Sequence, residues 1–301
     1  MTAFVLISMY CGMAIFVIGC VWRIRRYASL PRHLRWELYP VPHEPAKRAA
    51  YGGSYFEETE WWTKPRCRNR IGETWAMFEE IFLLKTVRQS NRALWWRSQL
   101  FHSGLFLVIA SLGCGMLELI LRGRWLTYAA LFGRTVGYIG LLAILAGAGA
   151  LLWRRVSDPD LRDYTHAADI AHLILILLAA GLVIAGALPP RAPGAGQIIR
   201  AVVLFDTGLN LPPLLAGALF LCAALFAYIP FSRMAHFIGK YFAYHAVRWD
   251  DAPNRGGRLS AALAANLEFR PNWSAEHIGA NGRKSWVEIA SENPAAAGAS
   301  K

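Results

Sequence analysis

Two short stretches carry side chains able to ligate a metal from within apolar sequence. In Gln-Leu-Phe-His-Ser-Gly (99–104), His102 lies about one turn inside a long apolar run, and in Pro-Phe-Ser-Arg-Met-Ala-His (230–236), His236 stands just past the end of another. An ionisable side chain at such a place is costly and points to function. A third stretch, Thr-His-Ala-Ala-Asp-Ile-Ala-His (165–172), sets Asp169 and His172 three residues apart, on neighbouring faces of a helix. Neutral imidazole is a usual ligand of haem iron and of transition metals. Two imidazoles suffice to clamp one haem from opposite faces of its ring. A bare transition metal needs a fuller shell, and no Glu, Asp or Cys lies near either histidine in its apolar run. Asp169 and His172 suit a proton path or a quinone head-group site; the plainer use is that Asp169 bonds a neighbouring helix end and His172 a backbone carbonyl.

These side chains must be positioned by helices that cross a bilayer. The 301-residue chain is 55% hydrophobic with 12 Trp, and five predominantly apolar runs, each with at most one charged residue, reach the ~20 residues that a spanning helix needs. They cover 2–22, 100–121, 135–153, 167–188 and 211–229. The expected fold is therefore an all-α membrane protein, a five-transmembrane-helix bundle with a long cytoplasmic first loop. Residues 1–249 form the membrane domain, including the loop 23–98, and 250–301 a cytoplasmic tail.

The net charge of +12 suggests nucleic acid until its placement is read. With the N-terminus outside, 27 of the 32 Lys and Arg fall on the inner side, the pattern of the positive-inside rule. No nucleic-acid partner is needed to explain it. The first run has no Lys or Arg before it and Arg23, Arg25 and Arg26 directly after, so it reads as a retained anchor with its N-terminus outside. The C-terminus is then cytoplasmic and the location the cell (inner) membrane, multi-pass. The five cysteines include no C-x-x-C pair, so the chain is expected to carry no iron–sulfur cluster or structural zinc of its own.

The loop 23–98 mixes Arg and Lys with Trp36, Tyr39, Tyr51, Tyr55, Phe56, Trp61 and Trp62. That mixture suits a docking surface for another subunit, or a loop folded on its own membrane domain. From Gly72 to Gln89 the apolar positions Trp75, Phe78, Ile81 and Phe82 predict an amphipathic helix on the membrane face. The spacing Gly133-x-x-x-Gly137, continued by Gly140, Gly147 and Gly149, predicts close helix contact along the third span. Pro230 is expected to kink the fifth span. The tail carries Trp249, Trp273 and Trp286 and ends in a polar stretch expected to be disordered.

Both imidazoles fall in the same leaflet: the second span leaves the inner face just before His102, and the fifth returns to it just before His236. Arg97 and Arg233 are close to them in sequence and could pair with haem propionates.

The stretches L-F-H-S-G and P-F-S-R-M-A-H, in a five-span frame with a basic first loop, resemble the gamma subunit of respiratory nitrate reductase. The stretches R-W-E-L-Y-P-V-P-H-E, Y-G-G-S-Y and E-W-W-T-K-P resemble relatives of that subunit in sulfate-reducer transmembrane and heterodisulfide-reductase-like complexes. The resemblance implies a b-type cytochrome that passes electrons between the membrane quinone pool and a cytoplasmic iron–sulfur subunit, with His102 and His236 as axial ligands of haem b. It also marks a departure. Where that family carries the ligands of a second haem, this chain has Leu112 and Ala218, so one haem is expected. The rival reading is a haem-free anchor that tethers a cytoplasmic redox enzyme.

Overall fold

The computed structural model describes residues 1–30, 40–42, 44, 46–50, 54–65, 69–189, 191–250, 260–273 and 280–292. Among them there are helices and turns and no strand. In chain order the helices are α1 (Thr2–Ser29), α2 (Ala46–Ala50), α3 (Arg70–Phe82), α4 (Lys85–Ser90), α5 (Arg92–Leu117), α6 (Arg124–Ser157), α7 (Pro159–Arg162), α8 (Ala167–Ala187), α9 (Ala195–Leu204), α10 (Pro213–Tyr228), α11 (His236–Ala243), α12 (Ser260–Leu267) and α13 (Trp286–Ser291). Five of these stretches, α1, α5, α6, α8 and α10 with its following turn, are long and apolar enough to span a membrane. The chain is an all-α membrane protein, as its hydropathy pattern requires.

The chain divides into two compact units. The first comprises Met1–Val21 and Thr74–Ala235 and contains the spans. Its seams are built on small residues, because lipid is as apolar as leucine and helices there associate by close packing. Along α5 and α6, a Cβ placed on Gly104 would come 2.7 Å from the Gly140 oxygen, and one on Gly140 would come 2.9 Å from the Gly104 oxygen. One turn or two further along, a Cβ on Gly147 would meet the Phe101 amide nitrogen at 2.5 Å. The glycine spacing thus marks helix contact at Gly140 and Gly147, while Gly149 has nothing within 4 Å. On α8, a Cβ on Gly186 would meet the Leu215 backbone of α10 at 2.7 Å. A small core of Val5, Leu211, Leu215 and Ala216 joins the start of α1 to α10.

Three elements depart from the expected boundaries. α6 is 34 residues long and takes in most of the expected outer loop 122–134, starting after Gly123 at φ 59°. The short apolar helix α9 stands where the stretch before the fifth span reads as loop, and a Cβ on Gly115 of α5 would meet its Ile199 at 2.7 Å. Third, the amphipathic helix breaks: α3 stops at Phe82, and Leu84 turns the chain at φ 47° before α4. Side chains from α5 satisfy the carbonyls freed by that break, Trp95 Nε1 donating to Leu83 O and Gln99 Nε2 to Phe82 O, each at 2.8 Å. Glu80 accepts from the Thr86 amide at 2.9 Å and so caps α4. Glu80→Ala is expected to cost about 1–2 kcal/mol locally, read as faster amide exchange across 84–90 with the spans unaffected.

Pro230 ends the helix rather than kinking it. α10 stops at Tyr228, and two 3-10 turns follow, Ile229–Phe231 and Arg233–Ala235. Pro230 supplies no N–H, and the Ser232 hydroxyl takes over local bonding: it donates to Ile229 O at 2.9 Å and accepts from the Met234 amide at 3.1 Å. Pro230 itself is fully buried, in a notch left by Gly19 of α1, where a Cβ would meet it at 2.6 Å.

The second unit comprises Trp22–Glu73 and His236–Lys301. Within it Tyr27 of α1 packs on Phe242 of α11 with ring centroids 5.7 Å apart. Glu44 gathers the amides of Val41 and Tyr55 at 3.0 Å each and the buried Ser54 hydroxyl at 2.6 Å. Tyr55, Trp61 and Trp62 meet in succession edge to face. In the tail, Trp273 and Trp286 meet edge to face at 5.7 Å, and Ser285 with Glu288 caps α13. Trp36, Tyr39 and Tyr51 lie outside the described residues, as does the terminal stretch 293–301.

Candidate functional site

His102 is placed by α5, whose first turn is capped by Asn91, its side chain accepting from the Leu94 amide at 2.8 Å. Further along α5, His102 Nδ1 lies 2.7 Å from the carbonyl oxygen of Ser98, one turn before it. A carbonyl only accepts, so Nδ1 carries the proton and Nε2 the lone pair. That is the tautomer of a metal-ligating imidazole, oriented through its other nitrogen by a backbone carbonyl. The residue is half-buried, and its ring meets Phe101 edge to face at 5.3 Å. Gly104 is filled by α6 and therefore serves helix packing.

Arg97 lies about one turn before His102. Its guanidinium sits 5.0 Å over the Trp96 ring and donates to Ala93 O at 2.7 Å. In the second unit, His236 is the first residue of α11 and is exposed.

The third stretch brings together more residues than the sequence indicates. Asp169, 6% exposed, sits at the start of α8 and accepts from the His166 amide at 3.2 Å. Arg233 Nη1, from the turn after α10, donates to both its carboxylate oxygens at 3.1 Å. Arg155, in the last turn of α6, stands 3.8 Å away. One carboxylate thus ties together the ends of three helical segments. Three residues on, His172 is buried, and its Nε2 shares a 2.6 Å hydrogen bond with the Tyr228 hydroxyl at the end of α10. The partner is a titratable phenol rather than a backbone carbonyl, which gives the pair two sites that can exchange a proton.

Arg155 and Tyr228 escape the sequence reading. Each terminates an apolar run as an ordinary interfacial residue would, and their partners are 14 and 56 residues distant in sequence. Among the described residues no three His, Cys, Asp or Glu gather into a metal site.

Five helices long and apolar enough to cross a bilayer, with one imidazole inside the second and ionisable pairs at the ends of others, mark a multi-pass membrane protein. The sequence matches the family described as nitrate reductase gamma subunit over residues 85–250, more than half of the chain, and it belongs to that family. No curated protein matches it.

Proposed function

We propose that this chain is the haem b-containing subunit of a quinone-linked oxidoreductase complex, with His102 and His236 as axial ligands. What carries the reading is that the family match spans both histidine motifs, together with the His102 tautomer set by the Ser98 carbonyl. When bound, the haem supplies a one-electron carrier between a two-electron quinol and a one-electron acceptor. Arg97 and Arg233 pair with its propionates, Arg233 dividing its donors between a propionate and Asp169. The electron partner is a cytoplasmic iron–sulfur subunit, as the likeness to the nitrate reductase gamma family implies.

Quinone is the membrane substrate, and His172 with Tyr228 exchanges its protons. The pair supports this role because its 2.6 Å hydrogen bond can pass a proton in either direction between imidazole and phenol. Asp169, three residues before His172 on the same helix, is held by Arg233 and Arg155 and so fixes the end of α8 that carries the imidazole.

The reduced-minus-oxidised spectrum of the purified chain tests the proposal. A low-spin, bis-imidazole signal is expected, and His102→Ala and His236→Ala are each expected to abolish it. Pyridine haemochrome assay should return one haem per chain. A chain that purifies without haem after reconstitution would instead be a tether, and a spectrum unchanged in both variants would place the iron on other ligands.

A further inference from the structure

The break between α3 and α4 creates a second site that the electron-transfer reading leaves unused. Where Leu84 turns the chain, Glu79, Leu83, Lys85, Arg88, Gln89 and Arg92 line a cleft of about 420 Å³. Three of the six are cationic and one anionic. Lys85 already holds Glu79 at 2.6 Å, so the remaining charge is the pair of guanidiniums. Arg88 lies 5.2 Å over the Trp95 ring, whose Nε1 is anchored on Leu83 O. The aromatic face therefore holds that guanidinium at the mouth of the cleft.

The surroundings indicate which anion fits. Leu83 of the cleft lining, Phe78, Ile81 and Phe82 of the adjoining α3 and Trp96 of α5 are all exposed, between 40% and 47%. Rings run without a gap from Phe78 to Phe82 and on to Phe106 of the second span, each step 4.7 Å between centroids. The uncharged run of α5 begins at about residue 98, which at 1.5 Å per residue is only ~9 Å from Arg92. A cationic cleft thus sits at the boundary of the apolar zone, with a greasy apron leading into it.

We propose that this cleft binds the head group of an anionic phospholipid. Arg88 and Arg92 take the phosphodiester by paired N–H donors, Gln89 meets a head-group hydroxyl, and the acyl chains lie along the Phe82–Phe106 rings. A soluble phosphate would use the guanidiniums but leave the apron uncovered, so the structure favours the lipid.

Native mass spectrometry of the purified full chain in detergent, titrated with phosphatidylglycerol or phosphatidylcholine, tests this. One phosphatidylglycerol is expected to stay bound under conditions that strip phosphatidylcholine. The Arg88→Gln/Arg92→Gln variant is expected to bind it about thirtyfold more weakly, while Arg154→Gln/Arg162→Gln, which removes the same charge elsewhere, keeps wild-type affinity. Circular dichroism checks that both variants are folded; should the first fail, Arg92→Gln alone, at the exposed first residue of α5, is measured and expected to lose about fivefold. Equal losses in both double variants would reduce the effect to general surface charge and overturn the site. Unchanged binding in the Arg88/Arg92 variant would do the same, and competition by millimolar inorganic phosphate would reassign the cleft to a soluble anion.

Discussion

Gly147→Val is expected to separate α5 from α6 and to lower stability by 3 kcal/mol or more, while Gly149→Val, two residues away, leaves the protein unchanged. The difference lies in what each new side chain would meet. At Gly147 the first added carbon already falls 2.5, 2.7 and 2.8 Å from the amide nitrogen, Cα and Cβ of Phe101. Two of these are backbone atoms, which cannot swing aside, so the helices must part. Overpacking of a close seam costs about 1–3 kcal/mol where side chains can adjust, and more where they cannot. Around Gly149 nothing lies within 4 Å. Helix association in lipid depends on such contacts rather than on a hydrophobic drive, so few other interactions compensate. Because Phe101 directly precedes His102, the displacement also moves the proposed haem ligand. Thermal unfolding in detergent should show a fall of many degrees for Gly147→Val alone. Equal melting of the two variants would mean that the α5–α6 seam is looser than these distances imply.

Removing the carboxylate of Asp169 has the next largest expected effect, and two substitutions divide it. Asp169→Asn keeps an acceptor for the His166 amide but loses the charge that holds Arg233 and Arg155. Asp169→Ala loses both. Breaking a fully buried pair costs 3–5 kcal/mol, but the Arg233 side chain is 66% exposed and can rehydrate, so the charge part is nearer 2 kcal/mol. The capping bond adds about 1 kcal/mol. The expected order of stability is therefore wild type, then Asn, then Ala, with the turn at 229–235 becoming the first site of proteolysis. An asparagine variant as stable as the wild type would show that the ion pairs contribute little and that capping alone fixes the start of α8.

The spans were legible in the sequence because twenty predominantly apolar residues have few alternatives, and the seam glycines because their spacing matches one helix face. What was not legible depends on partners distant along the chain. Leu84 at positive φ is an improbable choice for a leucine; it persists because Trp95 and Gln99, from the following helix, accept the burden of the freed carbonyls. The stop after Tyr228 needed Ser232 as well as Pro230, and a notch at Gly19 that hydropathy cannot display. Asp169 was legible both as a proton group and as a tie to a neighbouring helix end, but its partner there, Arg233, stands 64 residues on and only the fold shows it. His102 and His236 are proposed as a pair on motif and charge pattern, while the phenol opposite His172 was visible only in the fold.

The length of α6 bears on how the protein meets its lipid. Trp125 and Tyr128 stand exposed near one end and Trp153 near the other. From Trp125 to Trp153 the axis rises ~42 Å at 1.5 Å per residue, close to the 40–45 Å between the outer limits of the two head-group layers. Indole rings favour those layers, so this helix acts as a ruler that stands nearly upright. A thinner bilayer must lean it over, and through the seam with α5 any lean is transmitted to the neighbouring rod.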